Sequence, residues 1–219
     1  MGIVERRARE KSERRRLILE AAARRLLRVG VENTTMTDIA DEAELSKGAL
    51  YLYFKSKEEL IYTLLSSILH TFKDRIVEAA ATAGLGLEKI RAMRAAYVAV
   101  FAEYSDYLYL FHYLDYRSHA VDRQDSGAWR CFRVIDDLKE QLVHTLQLGQ
   151  ADGSMRAGFD ARKSAEMQVH MIESFLQRIA SRDAFIKQRS TYQPEELVEQ
   201  MFDMIEYYLG TPPAAEQGA

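Results

Sequence analysis

A chain of 219 residues that is 47% hydrophobic and 10% aromatic can bury one large core or two small ones, and its three prolines and eleven glycines favour long helices over a turn-rich β architecture. The formal charge of -3 is unevenly spread: residues 1–57 hold 13 Lys and Arg against 9 Asp and Glu, while residues 58–219 hold 17 against 24, so a polyanionic partner is expected at the N-terminal part alone. The single cysteine, Cys131, excludes a disulfide within the chain, and no apolar run approaches a signal-peptide core or a membrane span, so a reduced, cytoplasmic protein with no membrane partner is expected.

In chain order, residues 1–13 are charged and lack apolar spacing. With Arg6, Arg7, Arg9 and Lys11 they read as a disordered or fraying basic arm, either a solvated tail or an arm lying along phosphates or in a minor groove. Leu19, Ala22, Ala23, Leu26 and Leu27 predict a helix over Arg14 to Val29, stopped by Gly30. Three helix starts follow in quick succession. Thr35 precedes Asp38 by three positions, Ser46 opens a short segment, and Ser56 precedes Glu59 by three, so each hydroxyl can cap a helix and the outer two form capping boxes. Met36, Ile39, Ala40 and Ala43 place a helix over Met36 to Ala43, and a turn at Glu44-Leu45 leads to another over Lys47 to Tyr53. Gly48 and Ala49 make the first turn of this second helix small, where backbone can press into a major groove. Tyr51, Tyr53, Lys55 and Lys57 put phenol hydroxyls and ammonium groups at its far end, donors suited to phosphate oxygens.

The stretch SKGALYLYFKSKEEL from Ser46, preceded by TTMTDIA and by ILEAAARRLL at Ile18 to Leu27, resembles the DNA-binding domain of the TetR (tetracycline-repressor-like) family over residues 14–65. The resemblance implies an all-α protein in which an N-terminal three-helix helix-turn-helix domain, within 1–57 with the basic arm, is followed by a larger helical ligand-binding and dimerisation domain over 58–210. The last residues, 211–219, read as a disordered tail from their composition. The resemblance also implies phosphate contacts from Thr35, Ser46, Lys47, Tyr51, Tyr53 and Lys57, and close approach to base edges by Gly48 and Ala49, whose methyl could touch a thymine methyl. Family members often carry Gly in the turn where this chain has Glu44; if that position needs a positive φ, Glu costs about 1 kcal/mol more than Gly.

From Ser56 a long helix is expected to about Ala81, marked by Ile61, Leu64, Leu65, Ile68, Phe72 and Ile76. Gly84 and Gly86 interrupt it, and Leu87 to Glu103 resumes the pattern. Aromatics alternate over Tyr104 to Tyr116 as in a strand, but Leu108, Leu110 and Leu114 fill the other side, so a buried helix is the better reading. After a loop near Ser118 to Ser126, Trp129, Phe132, Ile135, Leu138, Leu142 and Leu146 mark a helix stopped by Gly149. Asp160 caps the next helix, Ala161 to Ser181, and Pro194 opens the last.

These last two long helices each carry two apolar stripes, and one core cannot use both. The surplus predicts a homodimer through a four-helix bundle, with Val169, Ile172, Leu176, Ile179, Val198, Phe202, Ile205 and Leu209 at the subunit interface. The other stripe, with its neighbours, predicts an effector pocket of Tyr97, Phe101, Tyr104, Phe111, His112, Trp129, Phe132, Met167, His170, Met171 and Phe175, suited to an apolar or aromatic molecule with a few polar anchors. His112, His119 and His170 lack metal-ligand spacing, and there is no nucleophile elbow, phosphate loop or zinc-protease motif, so no metal, no cofactor and no enzymatic activity are expected. His170 with Glu173 is the best catalytic-looking pair and reads more simply as a surface pair. The expected function is that of a ligand-responsive, sequence-specific transcriptional regulator, a repressor released from a palindromic operator by an apolar effector. The alternative is a DNA-binding structural or nucleoid-organising dimer without a ligand.

Overall fold

The computed structural model describes residues 2–108, 110–113 and 127–210, and its secondary structure there is helical apart from one isolated bridge between Met155 and Gly210. The helices of the described residues are α1 (Ile3–Val29), α2 (Met36–Glu42), α3 (Lys47–Tyr51), α4 (Lys57–Ala81), α5 (Gly86–Leu108), α6 (Gly127–Ala151), α7 (Ala161–Ser181), α8 (Asp183–Arg189) and α9 (Pro194–Leu209). The chain divides into two compact units, Met1–Ile68 with Leu114–Cys131, and Leu69–Tyr113 with Phe132–Ala219. The loop expected at 118–126, the end of the aromatic run at 114–116 and the tail at 211–219 lie outside the described residues.

In the first unit α1 starts at Ile3, so the segment expected as a fraying arm is helix. Arg, Lys and Glu are good helix formers, and Arg6 pairs with Glu10 at 3.4 Å and Arg16 with Glu13 at 2.6 Å, one turn apart. Ile18, Ala21, Ala22, Ala23 and Leu26 form the buried face, with Leu19 and Leu27 half-buried at its edges. They join Met36, Ile39 and Ala40 of α2, Leu50 of α3, and Phe54, Leu60, Ile61 and Leu65 in one core.

Local chemistry sets the angles of α2 and α3. The Thr35 hydroxyl accepts from the Asp38 N–H at 3.2 Å while the Asp38 carboxylate accepts from the Thr35 N–H and hydroxyl, the expected capping box. Those bonds from Thr35, hydroxyl first, hold the Asp38 carboxyl below its ordinary value. Its stabilisation is therefore present at neutral pH and lost as pH falls through the lowered value. Ser46 accepts from the Ala49 N–H at 3.1 Å. The Ser56 hydroxyl caps the Glu59 N–H, but the Glu59 carboxylate accepts from the Lys55 N–H, one residue before the position a capping box would use.

The end of α2 decides the turn. Leu45 N–H reaches the Ala40 carbonyl at 2.9 Å and Glu44 N–H reaches Asp41 at 3.1 Å, a Schellman motif that requires Glu44 at φ 54. Glu44→Gly is expected to raise the denaturation midpoint, by up to about 1 kcal/mol of stability; an unchanged or lower midpoint would mean that glycine's greater unfolded-state freedom cancels the relief.

In the second unit the start of α5 is held by the segment after α6: Gly86 N–H donates to Asp152 at 2.7 Å and Leu87 N–H to the Ser154 hydroxyl at 3.0 Å. Gly149 does not stop α6, which runs on to Ala151. A Cβ on Gly149 would lie 2.6 Å from the Met155 side chain, and a Cβ on Gly86 would lie 2.2 Å from the Gly149 Cα, so the backbones of α5 and α6 nearly touch here. Gly86→Ala is expected to cost about 1–3 kcal/mol or more, since the obstacle is backbone and cannot rotate away; wild-type melting behaviour would contradict this.

The buried face of α6 runs through Ala128, Cys131, Val134, Leu138, Leu142 and Leu146, so Phe132 and Ile135 are half-buried and Trp129 is 37% exposed. Cys131, in the first unit, is fully buried with its thiol on the Tyr62 carbonyl, and burial pushes the thiol up to about 12. A thiol reagent at pH 8 is expected to leave the native protein unmodified and to react once denaturant is added; rapid native labelling would contradict this burial.

On α7 the buried residues are Ala161, Ser164, Ala165, Gln168, Val169, Ile172, Leu176 and Ile179, and on α9 Pro194, Val198, Met201, Phe202, Ile205 and Leu209. The two expected faces are therefore exchanged. Val169, Ile172, Leu176, Ile179, Val198, Phe202, Ile205 and Leu209, expected between subunits, are core of a single chain. Met167, His170 and Met171, expected around an effector, are exposed, with Phe175 half-buried. Periodicity fixes that two stripes exist and not which of them faces α5 and α6. The stripe that wins is the one extended a full turn earlier by the small residues Ala161 and Ala165, which let neighbouring helices approach.

Candidate functional site

α2, the turn at Glu44 and α3 form a helix-turn-helix whose second helix is short and outward. It ends at Tyr51, two residues before the expected end, with Leu52 as its C-terminal cap. Ser46, Lys47 and Gly48 are exposed, Ala49 and Tyr53 half-buried, Tyr51 43% exposed and Leu52 81% exposed. A methyl added at Gly48 would meet nothing within 4 Å, and the residue has ordinary helical backbone. The fold does not need glycine there, although glycine inside a helix costs about 1 kcal/mol relative to alanine. A small residue at this point leaves the outer surface of the helix open to close approach.

The remaining expected contact residues divide. Thr35 is exposed, but its hydroxyl is engaged in both directions with Asp38. The Lys57 ammonium donates to the carbonyls of Val31 and Thr34, both at 2.9 Å, so it ties α4 to the loop after α1 and is only partly free for a phosphate. Lys55 is exposed beside it. Arg15, not singled out from sequence, fixes the end of α3. Its guanidinium donates to the Tyr53 carbonyl at 2.8 Å and lies 4.1 Å from the centre of the Phe54 ring. Nothing local marks Arg15 for that role, because its partners lie 38 or more positions away.

The second unit holds a partly open cavity of about 30 Å³, room for about one water molecule. Its apolar wall includes Met93, Leu142, Ile172, Phe202 and Ile205, and its polar groups are Arg94, Tyr97 and Gln168. Of the expected effector residues, Tyr97 alone is on this wall. Phe101 and Phe111 are buried away from it, Tyr104 packs edge-on against Phe72, and His112 is exposed. Val169, Ile172, Phe202 and Ile205, expected at the subunit interface, line it instead. Withdrawal from water, with the Glu173 charge added, raises the Tyr97 phenol, so it stays a neutral donor near pH 7. Gln168, 2% exposed, donates its amide to the Ser164 hydroxyl at 2.9 Å. His170 pairs with Glu166 at 3.3 Å on the surface. No cluster of His, Cys, Asp and Glu among the described residues could hold a metal ion, and no helix there is long and apolar enough to cross a membrane.

Comparison with known proteins agrees with this geometry. The family model described as bacterial regulatory proteins, tetR family, matches residues 18–62, the helix-turn-helix and its flanks. A probable HTH-type transcriptional regulator, ArpR of Pseudomonas putida, is 38% identical over 101 residues, 46% of this chain and 47% of that protein, so the matched stretch spans about half its length. The HTH-type transcriptional repressor KstR2 of Rhodococcus jostii is 30% identical over 158 residues, 68% of this chain and 72% of the relative. Among solved structures, AibR in complex with isovaleryl coenzyme A and operator DNA superposes with a TM-score of 0.66 at 19% identity, over 87% of this chain and 97% of that one, a likeness of fold. With the helix-turn-helix in place and a repressor matched over more than two thirds of its length, the chain belongs to the TetR family of bacterial regulatory proteins.

Proposed function

We propose that this protein is a homodimeric transcriptional repressor that leaves a palindromic operator when an apolar small molecule enters the cavity of the second unit. The observation that carries the DNA half is the outward first turn of α3, with Gly48 in open space and the Ser46, Lys47, Tyr51 and Tyr53 side chains around it. Ser46, Lys47, Tyr51 and Tyr53 hold phosphates, and Gly48 and Ala49 approach base edges. The subunits meet through exposed apolar side chains of α7 and α9, among them Met167, Met171, Met204 and Tyr207, in place of the buried stripe. The cavity supports a ligand site that is too small as it stands for an organic molecule: an effector must spread the helices around it, and so favours a different arrangement of the domain. α4 contributes residues to both units and is the element that carries the change.

The test is footprinting of the DNA upstream of the protein's own gene with the wild type and with Ala49→Glu. A glutamate three positions after Ser46 completes a capping box and suits the helix, yet brings a carboxylate to the groove, so protection should vanish while folding is retained. A variant that still protects the same sequence would show that α3 is not the reader.

A further inference from the structure

Arg94 on α5 lines this cavity and also a more open groove on the surface of the same unit, which it shares with Arg91, Glu199 and Glu206. Its guanidinium is bonded to Asp203 on α9 and lies 3.6 Å from Glu206, which also takes Arg91. These ion pairs join α5 to α9 at Arg94, the residue that the cavity and the groove have in common. The partners are unequally exposed: the Arg94 side chain is 23% exposed and Asp203 is 54% exposed. If the pair of Arg94 with Asp203 opens, Asp203 rehydrates at little cost, whereas Arg94, half-withdrawn from water, keeps only the longer contact to Glu206 at 3.6 Å, a carboxylate it shares with Arg91. A ligand that supplies an acceptor removes that penalty; an uncharged ligand does not.

We infer that Arg94 is both gate and anchor of the cavity, and that the effector is an organic anion whose charged head replaces Asp203 on Arg94 while its apolar body lodges among Tyr97, Ile172 and Phe202. This deepens the reading of the second unit as an effector domain and rests on it. Glu206 stays with Arg91, so the groove keeps one ion pair when the gate is open. Arg94, on this account, selects for charge, and the cavity wall selects for shape.

The test uses two fluorescent probes with one ring system, the anionic 1-anilinonaphthalene-8-sulfonate and the uncharged N-phenyl-1-naphthylamine, titrated into the full-length protein. Arg94→Gln should weaken the sulfonate by about ten- to a hundredfold, the worth of a bond to a charged group, and leave the neutral probe within about threefold. Asp203→Asn should tighten the sulfonate by about three- to tenfold and leave the neutral probe within about threefold, because it removes the competing carboxylate; a loosened fold would instead raise the binding of both probes together. Equal weakening of both probes by Arg94→Gln, or unchanged or weaker sulfonate binding by Asp203→Asn, overturns the assignment of Arg94. Ile172→Phe, which fills the cavity, should abolish binding of both. If neither probe binds the wild type, or both survive Ile172→Phe, the effector-cavity reading itself fails and the gate falls with it.

Discussion

Leu176→Asp will unfold the second unit, whereas Met171→Asp on the same helix will leave it folded. Leu176 is 5% exposed within a single chain and Met171 is 38% exposed. Placing a carboxylate at the first position removes a buried leucine, about 2–5 kcal/mol, and leaves a charge with no partner in an apolar surround, which adds more. Together these rival the whole stability of a domain, about 5–15 kcal/mol. Met171→Asp combined with Met204→Asp should instead yield a folded monomer, because both side chains belong to the apolar surface that a second copy would cover. Circular dichroism and sedimentation separate the outcomes. A folded, monomeric Leu176→Asp protein would return that stripe to the subunit boundary.

The same pair of helices shows where sequence reading succeeds and where it stops. Caps and turns depend on residues three to five positions apart, so Thr35 with Asp38, Ser46 with Ala49, Asp160 with Lys163 and the positive φ at Glu44 all lie within reach of local rules. The helices α7 and α9 were legible for the same reason. Their rotation was not, since two stripes of equal hydrophobicity differ only in what lies opposite them. A usable signal was present: Ala161 and Ala165 continue the aliphatic stripe to the helix start, while the methionine stripe runs into Arg162 and Lys163. Trp129 misled by size, because Ala128 and Cys131 beside it do the packing. The one-residue shift in the Ser56 cap and the extension of α1 to Ile3 reflect choices of a flexible carboxylate and of surface ion pairs that spacing alone leaves open. The cavity depends on contacts between α5, α6, α7 and α9, none of them local, so Gln168 and Arg94 carry no mark in the sequence.

Lys57 is the sharpest case of a residue whose role changes between sequence and structure. Its place after Tyr53-Phe54 makes it look like a phosphate donor, and as such Lys57→Met would weaken all DNA equally and reduce the salt dependence. In the structure two of its three ammonium protons are committed to the Val31 and Thr34 carbonyls, next to the Thr34 hydroxyl that donates to Gly30. Lys57→Met keeps the apolar stem but takes the ammonium from the Thr34 carbonyl and leaves the Val31 carbonyl with only the Thr34 N–H at 3.3 Å, at about 1–3 kcal/mol. The expected result is therefore a lower denaturation midpoint, with DNA affinity restored largely by stabilising conditions and with the slope of log affinity against log salt nearly unchanged. Lys55→Ala, one step outward on an exposed side chain, should do the reverse: an unaltered midpoint and a slope smaller by about one. If Lys57→Met instead lowers the slope and spares the midpoint, the two carbonyl bonds give way on DNA, and the ammonium turns from the loop after α1 to the phosphates.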